Sequence, residues 1–221
     1  MFSNNEVVSH SLYSLVSMTT PEHTLVGIHL AVALGVYSRF GWPAVALAGV
    51  ASNLPDWDGL PMLLDMARFE KGHRVWGHNL MAIVVSSILL AGSEVRFRWI
   101  EWFAGWLGRF VPGASPLRSG VAVGWAFFLI AMVAQCVHLP CDMVVSGGQG
   151  LTDWPVQPWW PLSKIGYTFG LIPWGDVGPT LILMLGAIVL AKGFSPRCVS
   201  AGTLISLVGY LMVRGWMRGA F

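Results

Sequence analysis

Charge is what this chain has least of. Of its 221 residues only 11% are Asp, Glu, Lys or Arg, under half the roughly 25% of an ordinary soluble domain. That scarcity excludes a conventional water-facing surface. The formal net charge of +2 is too small to draw a polyanion by charge alone, so no nucleic-acid partner is expected. Three cysteines, Cys136, Cys141 and Cys198, cannot build a disulfide framework; they are expected to be small buried apolar residues. Residues 1–22 carry no Lys, no Arg and no compact apolar core. They do not read as a cleaved signal peptide, and the first apolar helix is expected to direct insertion. Internal repeats and low-complexity tracts are missing. So are His-Glu-x-x-His, Gly-x-Ser-x-Gly and Gly-x-x-x-x-Gly-Lys, which leaves the chemistries of those motifs without support.

What the chain has is grease. Hydrophobic residues make up 55% of it, mean hydropathy is +0.63, and twelve Trp suit the headgroup boundary. The fold class is all-α, a polytopic membrane protein with about 4–6 transmembrane or membrane-embedded helices and ligand-bearing loops on one face. A loose tail over 1–20 precedes a single helical membrane domain over 21–221. Apolar helices are expected at 24–38, 44–54, 79–92, 120–138, 179–190 and 199–213. A turn at 39–43 would join the first two, which are short for full spans. Residues 97–111 read as an interfacial amphipathic helix. Residues 143–177 hold too many Gly and Pro for a regular helix, and Trp154, Trp159 and Trp160 point to a packed lid.

Three of the 11 acidic residues and three of the 6 histidines fall in short stretches. Asp56 and Asp58 follow the second apolar segment, His73 and His78 precede the third, and His138 and Asp142 end the fourth. His23 opens the first. If the six segments alternate in direction, all seven residues reach the same face of the bilayer. Lys and Arg divide almost evenly between the two faces. They are denser in the shorter loops opposite the ligands, which tilts the ligand face towards the outside of the cytoplasm.

Asp and His are oxygen and nitrogen ligands for divalent cations, zinc foremost, with manganese or magnesium as alternatives. His138 and Asp142 are four apart and share a helical face; Pro140 between them is expected to kink the helix. Asp56 and Asp58 lie on one side of an extended stretch. Each pair alone has an ordinary explanation, a solvated loop or a hydrogen-bonded structural pair. Gathered on one face of a charge-poor membrane chain, they default to a functional reading. Seven candidates (His23, Asp56, Asp58, His73, His78, His138 and Asp142) exceed the needs of one tetrahedral ion and suit two ions bridged by a carboxylate. Arg74 is a candidate to steady negative charge on a phosphoester, and Asp58 a candidate general base. His29, six residues after His23, points elsewhere and reads as packed or polar-bonded. Cys141 adjoins Asp142 but faces another way on a helix.

Over roughly residues 20–165 the chain resembles the bacterial membrane-bound metal-dependent hydrolases, also described as LexA-binding inner-membrane-associated hydrolases. His23 and Gly27 match its opening His and Gly four apart. Leu54-Pro55-Asp56-Trp57-Asp58 matches its Leu-Pro-Asp-x-Asp. His73-Arg74-Val75-Trp76-Gly77-His78-Asn79 stands against its His-Arg-Gly-x-Thr-His-Ser, with Val75 in place of Gly, Gly77 in place of Thr and Asn79 in place of Ser. His138 and Asp142 match His-x-x-x-Asp, and Trp160-Pro161 a later Trp-Pro. The resemblance implies a metal-dependent hydrolase of the bacterial inner membrane. The order of ligands is also similar to that of zinc-dependent phospholipases C and single-strand nucleases, which implies phosphoester hydrolysis, with a phospholipid or another membrane-associated phosphoester as substrate. The rival expectation is a non-enzymatic metal-binding membrane module with a structural, regulatory or protein-docking role. A metal transporter ranks last, because transporters hold their ions near the bilayer midplane.

Overall fold

The computed structural model describes residues 20–100, 102, 121–146 and 154–221. Its helices are α1 (Thr20–Ala33), α2 (Val36–Ala51), α3 (Met66–Gly72), α4 (Leu80–Phe97), α5 (Val121–Met143), α6 (Gly178–Ala191) and α7 (Pro196–Met217). A 3₁₀ segment, Leu54–Leu63, links α2 to α3. Two-residue strands β1 (Val145–Ser146) and β2 (Ile172–Pro173) pair in parallel beyond α5.

Among the described residues, three stretches are long and apolar enough to cross a bilayer: α4, residues Gly124–Met143 of α5, and α7. At 14 residues each, α1 and α6 reach only about 21 Å, short of a hydrocarbon core about 30 Å thick. The spanning helices show lipid an apolar face. Val85, Ile88 and Leu89 of α4, and Ile205, Val208 and Val213 of α7, are more than half exposed, an area no soluble surface would leave bare.

α1 lies at the middle, packed on α2, α5, α6 and α7, while α5 also carries α2 and α4. Small residues make the close approach possible: Ala31 on α1, Ala48 and Ala51 on α2, and Ala131 and Ala134 on α5 form one buried cluster with Val32 and Val45. A polar seam joins α4 to α5. Ser86 donates to the Gln135 carbonyl oxygen (2.7 Å) and Gln135 donates to Ser87 (2.9 Å). At the ligand end, Asp176 accepts from Tyr210 (2.6 Å) and from Arg214 (2.8 Å to Nη2), pinning the segment before α6 to the end of α7.

Several boundaries differ from the sequence reading. The first turn falls at Leu34–Gly35 (Gly35 φ 81°), not at 39–43; Gly41 (φ 74°) and Pro43 mark a kink inside α2 instead. α5 continues through Pro140 to Met143, so His138 and Asp142 stand on its last turns. α4 runs on to Phe97, with Glu94 buried and accepting the Ile100 N–H (2.7 Å). The expected amphipathic helix at 97–111 lies mostly outside the described residues. Cys136 and Cys141 are partly buried, but Cys198 is exposed, against expectation.

Candidate metal centre

Three chain segments deliver four ligands to one end of the bundle. Leu54-Pro55 starts the 3₁₀ turn that carries Asp56 inwards after α2. Asn79 caps α4, accepting the Ala82 N–H (2.9 Å) while its amide donates to the carbonyls of Val75 and Trp76, and this fixes His78 at the helix mouth. α5 supplies His138 and Asp142 one turn apart.

Asp56, His78, His138 and Asp142 offer ligand atoms that all lie within 4.8 Å of one another. His78 Nε2 is 3.0 Å from His138 Nε2, 2.9 Å from Asp142 Oδ2 and 3.5 Å from Asp56 Oδ1. His138 Nε2 is 3.4 Å from Asp56 Oδ1 and 3.6 Å from Asp142 Oδ2. Donors about 2.1 Å from one tetrahedral cation stand about 3.4 Å apart, so the spacing fits an ion in their midst. The tautomers fit too. His78 Nδ1 donates to Asp58 Oδ2 (2.9 Å), and His138 Nδ1 donates to the Ser52 carbonyl (2.6 Å). Both Nε2 lone pairs are thereby turned towards the centre, as metal-ligating imidazoles require.

Asp58, read from the sequence as ligand and base, stands one layer further out. It is fully buried, its Oδ2 takes His78 Nδ1 and the Gly77 N–H (2.8 Å), and its Oδ1 faces His73 Nδ1 (3.2 Å). Gly77 makes this possible: a Cβ there would collide with the Pro55 carbonyl oxygen. The hydroxyls that the resemblance leaves missing at 77 and 79 are thus replaced by a backbone N–H and by an Asn cap. His73 is 16% exposed on its side chain and stacks on Phe69 (4.7 Å), outside the four-residue group. His23 is inside the wall. It stacks on His138 (3.8 Å between rings) with Nε2 paired to Asp142 Oδ1 at 3.2 Å, while its Nδ1 makes no hydrogen bond. Gly27 lets it sit there, because a Cβ would press into the Ala48 carbonyl and Ser52 Oγ (both 2.7 Å).

Arg74 is buried, with backbone φ 61°, a left-handed conformation that costs a non-Gly residue about 1–3 kcal/mol. Its Nη1 donates to the carbonyls of Asp142 (3.1 Å) and Trp154 (3.0 Å), Nε lies 3.3 Å from Asp142 Oδ2, and the guanidinium lies over Trp174 (4.9 Å). It ties α5 to the 154–177 segment. That segment packs over the site as the expected lid: Trp154 meets Phe69 and His73 edge-on, and Gln157 donates to the Arg74 carbonyl (3.2 Å). The side chain of Asp56, 29% exposed against at most 3% for the other three, marks the open side.

Charge follows from this packing. Burial alone would raise the Asp56 carboxyl, but hydrogen bonds with His138 and His78 outweigh it and hold it well below the carboxylate range. Burial likewise opposes ionisation of Asp58, and His73 and His78 overrule it, giving about 2. For His78, burial favours the neutral ring, but Asp142, Asp56 and Asp58 lift it well above its ordinary value. Three carboxylates that attract a proton so strongly also attract a divalent cation, and the two compete.

Ser52, Gly77 and the Trp154 carbonyl were invisible as site residues in the sequence, because each acts through its backbone. Cys141 packs with Val26, Leu183 and Leu207, away from the centre. No curated protein and no solved structure matches the chain. Its inward-turned imidazoles lie at one end of a helical membrane bundle, and residues 18–221 match the model of the YdjM inner membrane protein family, to which this chain belongs.

Proposed function

We propose that the chain is a membrane-embedded metal-dependent hydrolase acting on a phosphoester, with a lipid phosphoester as the natural substrate. The observation that carries this is the pair of Nε2 lone pairs locked inwards by Asp58 and Ser52 beside two carboxylates. A divalent cation held there supplies Lewis acidity and brings the pKa of coordinated water towards neutrality.

The residues divide the remaining work. Asp58 and Ser52 orient the two imidazoles. Arg74 and the Trp154 lid exclude water from the inner side, leaving the Asp56 side open to substrate. Asp142 offers Oδ2 to the centre and Oδ1 to His23, so His23 and Asp142 would hold a second ion if the site takes two. Zinc leads, with manganese or magnesium as alternatives. α1, α2 and α6 are taken as membrane-embedded beside the three spans, with the ligand end outside the cytoplasm.

The test is hydrolysis of bis(4-nitrophenyl) phosphate and of phosphatidylglycerol by zinc-loaded protein. Activity lost in Asp56→Ala and His138→Ala is the expected result; wild type inert on both with stoichiometric zinc refutes it. One observation favours a second reading, a non-catalytic metal module: four protein ligands converge, which is the count of a closed structural site. Inert protein that unfolds on chelation would establish that alternative.

A further inference from the structure

The 3₁₀ segment that carries Asp56 is inside out. About three residues make a turn, so side chains three apart stand in one row. Pro55 and Asp58 form the buried row, and Asp56, Gly59 and Met62 the half-buried one. The outward row is Trp57, Leu60 and Leu63, which are 47%, 62% and 76% exposed, and Leu64 follows at 94%. A helix on a water-facing surface buries its leucines and shows its carboxylates; this one buries Asp58 and shows the leucines. The root of the ridge gives its depth. A Cβ on Gly77 would lie 3.0 Å from Trp57 Nε1, and Gly77 stands just before the span α4 begins at Leu80. The lid reaches the same point. The Leu80 N–H donates to the Pro158 carbonyl (3.0 Å), and Trp159 and Leu162, which follow Pro158, are both more than half exposed. Two apolar projections therefore start where α4 enters hydrocarbon, and each carries a Trp, the side chain that settles at that boundary.

We infer that the ridge and the lid tip are a membrane-insertion surface: they lie in the headgroup–acyl boundary of the ligand-side leaflet, as a wedge beside the spans. The partner is the lipid of the chain's own bilayer, because the apolar surface is continuous with the lipid-facing side of α4, where Met81 and Val85 are more than half exposed. Charge has little part in it. Asp65 pairs with Arg68 (3.2 Å) and Glu70 offsets Lys71 along α3, so burial of apolar side chains drives the insertion. Asp56 is the neighbour of Trp57, and the wedge therefore holds the open side of the metal centre at headgroup depth. The inference goes beyond the hydrolase reading and stands without it.

The experiment uses the full chain in phosphatidylcholine vesicles, with Cys136, Cys141 and Cys198 replaced by Ala and a single nitroxide attached at Leu60→Cys, Leu63→Cys or Leu162→Cys. Power saturation compares collisions with oxygen, which collects in hydrocarbon, and with a water-soluble nickel chelate. Val85→Cys on the lipid face of α4 and Lys192→Cys at the exposed end of α6 are the lipid and water references. Unchanged helicity and monodisperse elution report an intact fold. All three labels are expected to show an oxygen-to-nickel ratio several-fold above that at Lys192. Their depth should be about 5–10 Å, shallower than Val85, and the same with or without phosphatidylglycerol. A ratio equal to that at Lys192 in either segment overturns the inference. Loss of access to both relaxants with spin–spin broadening, the mark of a second copy seated on the ridge, also overturns it. So does insertion confined to vesicles that contain phosphatidylglycerol.

Discussion

Two histidines of α1 lie six residues apart, both buried in the same membrane-embedded bundle, and they have opposite surroundings. His29 bridges the seam to α6 and α7, with Nε2 donating to the Leu183 carbonyl (3.3 Å) and Nδ1 accepting from Ser200 Oγ (3.1 Å). His23 packs flat on His138, with Nε2 3.2 Å from an Asp142 carboxylate oxygen and Nδ1 without a hydrogen bond. What the rings face, not their burial, separates a structural histidine from a site histidine: His29 faces a carbonyl and a hydroxyl, His23 a carboxylate that also faces His78 and His138. By that criterion the α1–α6–α7 seam is scaffold and the end carrying Asp56, His78, His138 and Asp142 is a site.

The largest expected effect is in Asp142→Ala, which removes the carboxylate shared by His78, His138, Arg74 and His23. Affinity for zinc should fall by more than about 100-fold, beyond the loss typical of an outer partner, as read by titration against a competing chelator. Arg74→Met strips the cation from a buried carboxylate, a change that typically costs about 3–5 kcal/mol. Thermal unfolding in detergent should show that loss in metal-free protein and much less of it with zinc bound, because the ion takes over the neutralisation.

Asp58→Ala should weaken zinc about 10–100-fold without changing the stoichiometry at saturation; a lost equivalent would make Asp58 a direct ligand. Acid should act oppositely on the two forms. His78 has a raised folded-state value, so its contribution to metal-free stability is complete below its unfolded value of about 6.5 and fades as pH rises through the raised one. Zinc affinity should rise over that same interval as the competing proton leaves, which paired thermal scans across pH would reveal. The smallest effect on metal is in His29→Ala: unchanged zinc content, with about 1–3 kcal/mol of stability lost as Ser200 and Leu183 lose their partner. Zinc loss there would erase the contrast between the two histidines.

The convergence of helix tips was readable because alternation of six apolar segments is a counting argument, and the sparse Asp and His obeyed it. What failed to show was geometry held by backbone. Arg74 looked like an anion clamp open to substrate, but its left-handed φ turns the guanidinium inwards onto Asp142 and Trp154. Asp58 looked like a ligand by its spacing from Asp56, but tight 3₁₀ winding sends the two carboxylates to different sides of His78. The proline at 43 drew the first turn too late, since a helix kinked at Gly41 can carry it. Pro140 was expected to kink α5, and the helix carries it through to Met143. The segment around 97–111 stays a reading of sequence.

X-ray absorption spectroscopy of the zinc-loaded protein tests the central claim most directly. Imidazole nitrogens and carboxylate oxygens at about 2.0–2.1 Å, with the multiple-scattering signature of histidine and no sulfur, are the result expected of Asp56, His78, His138 and Asp142. A sulfur shell at about 2.3 Å, or zinc surrounded by water without imidazole, would contradict it.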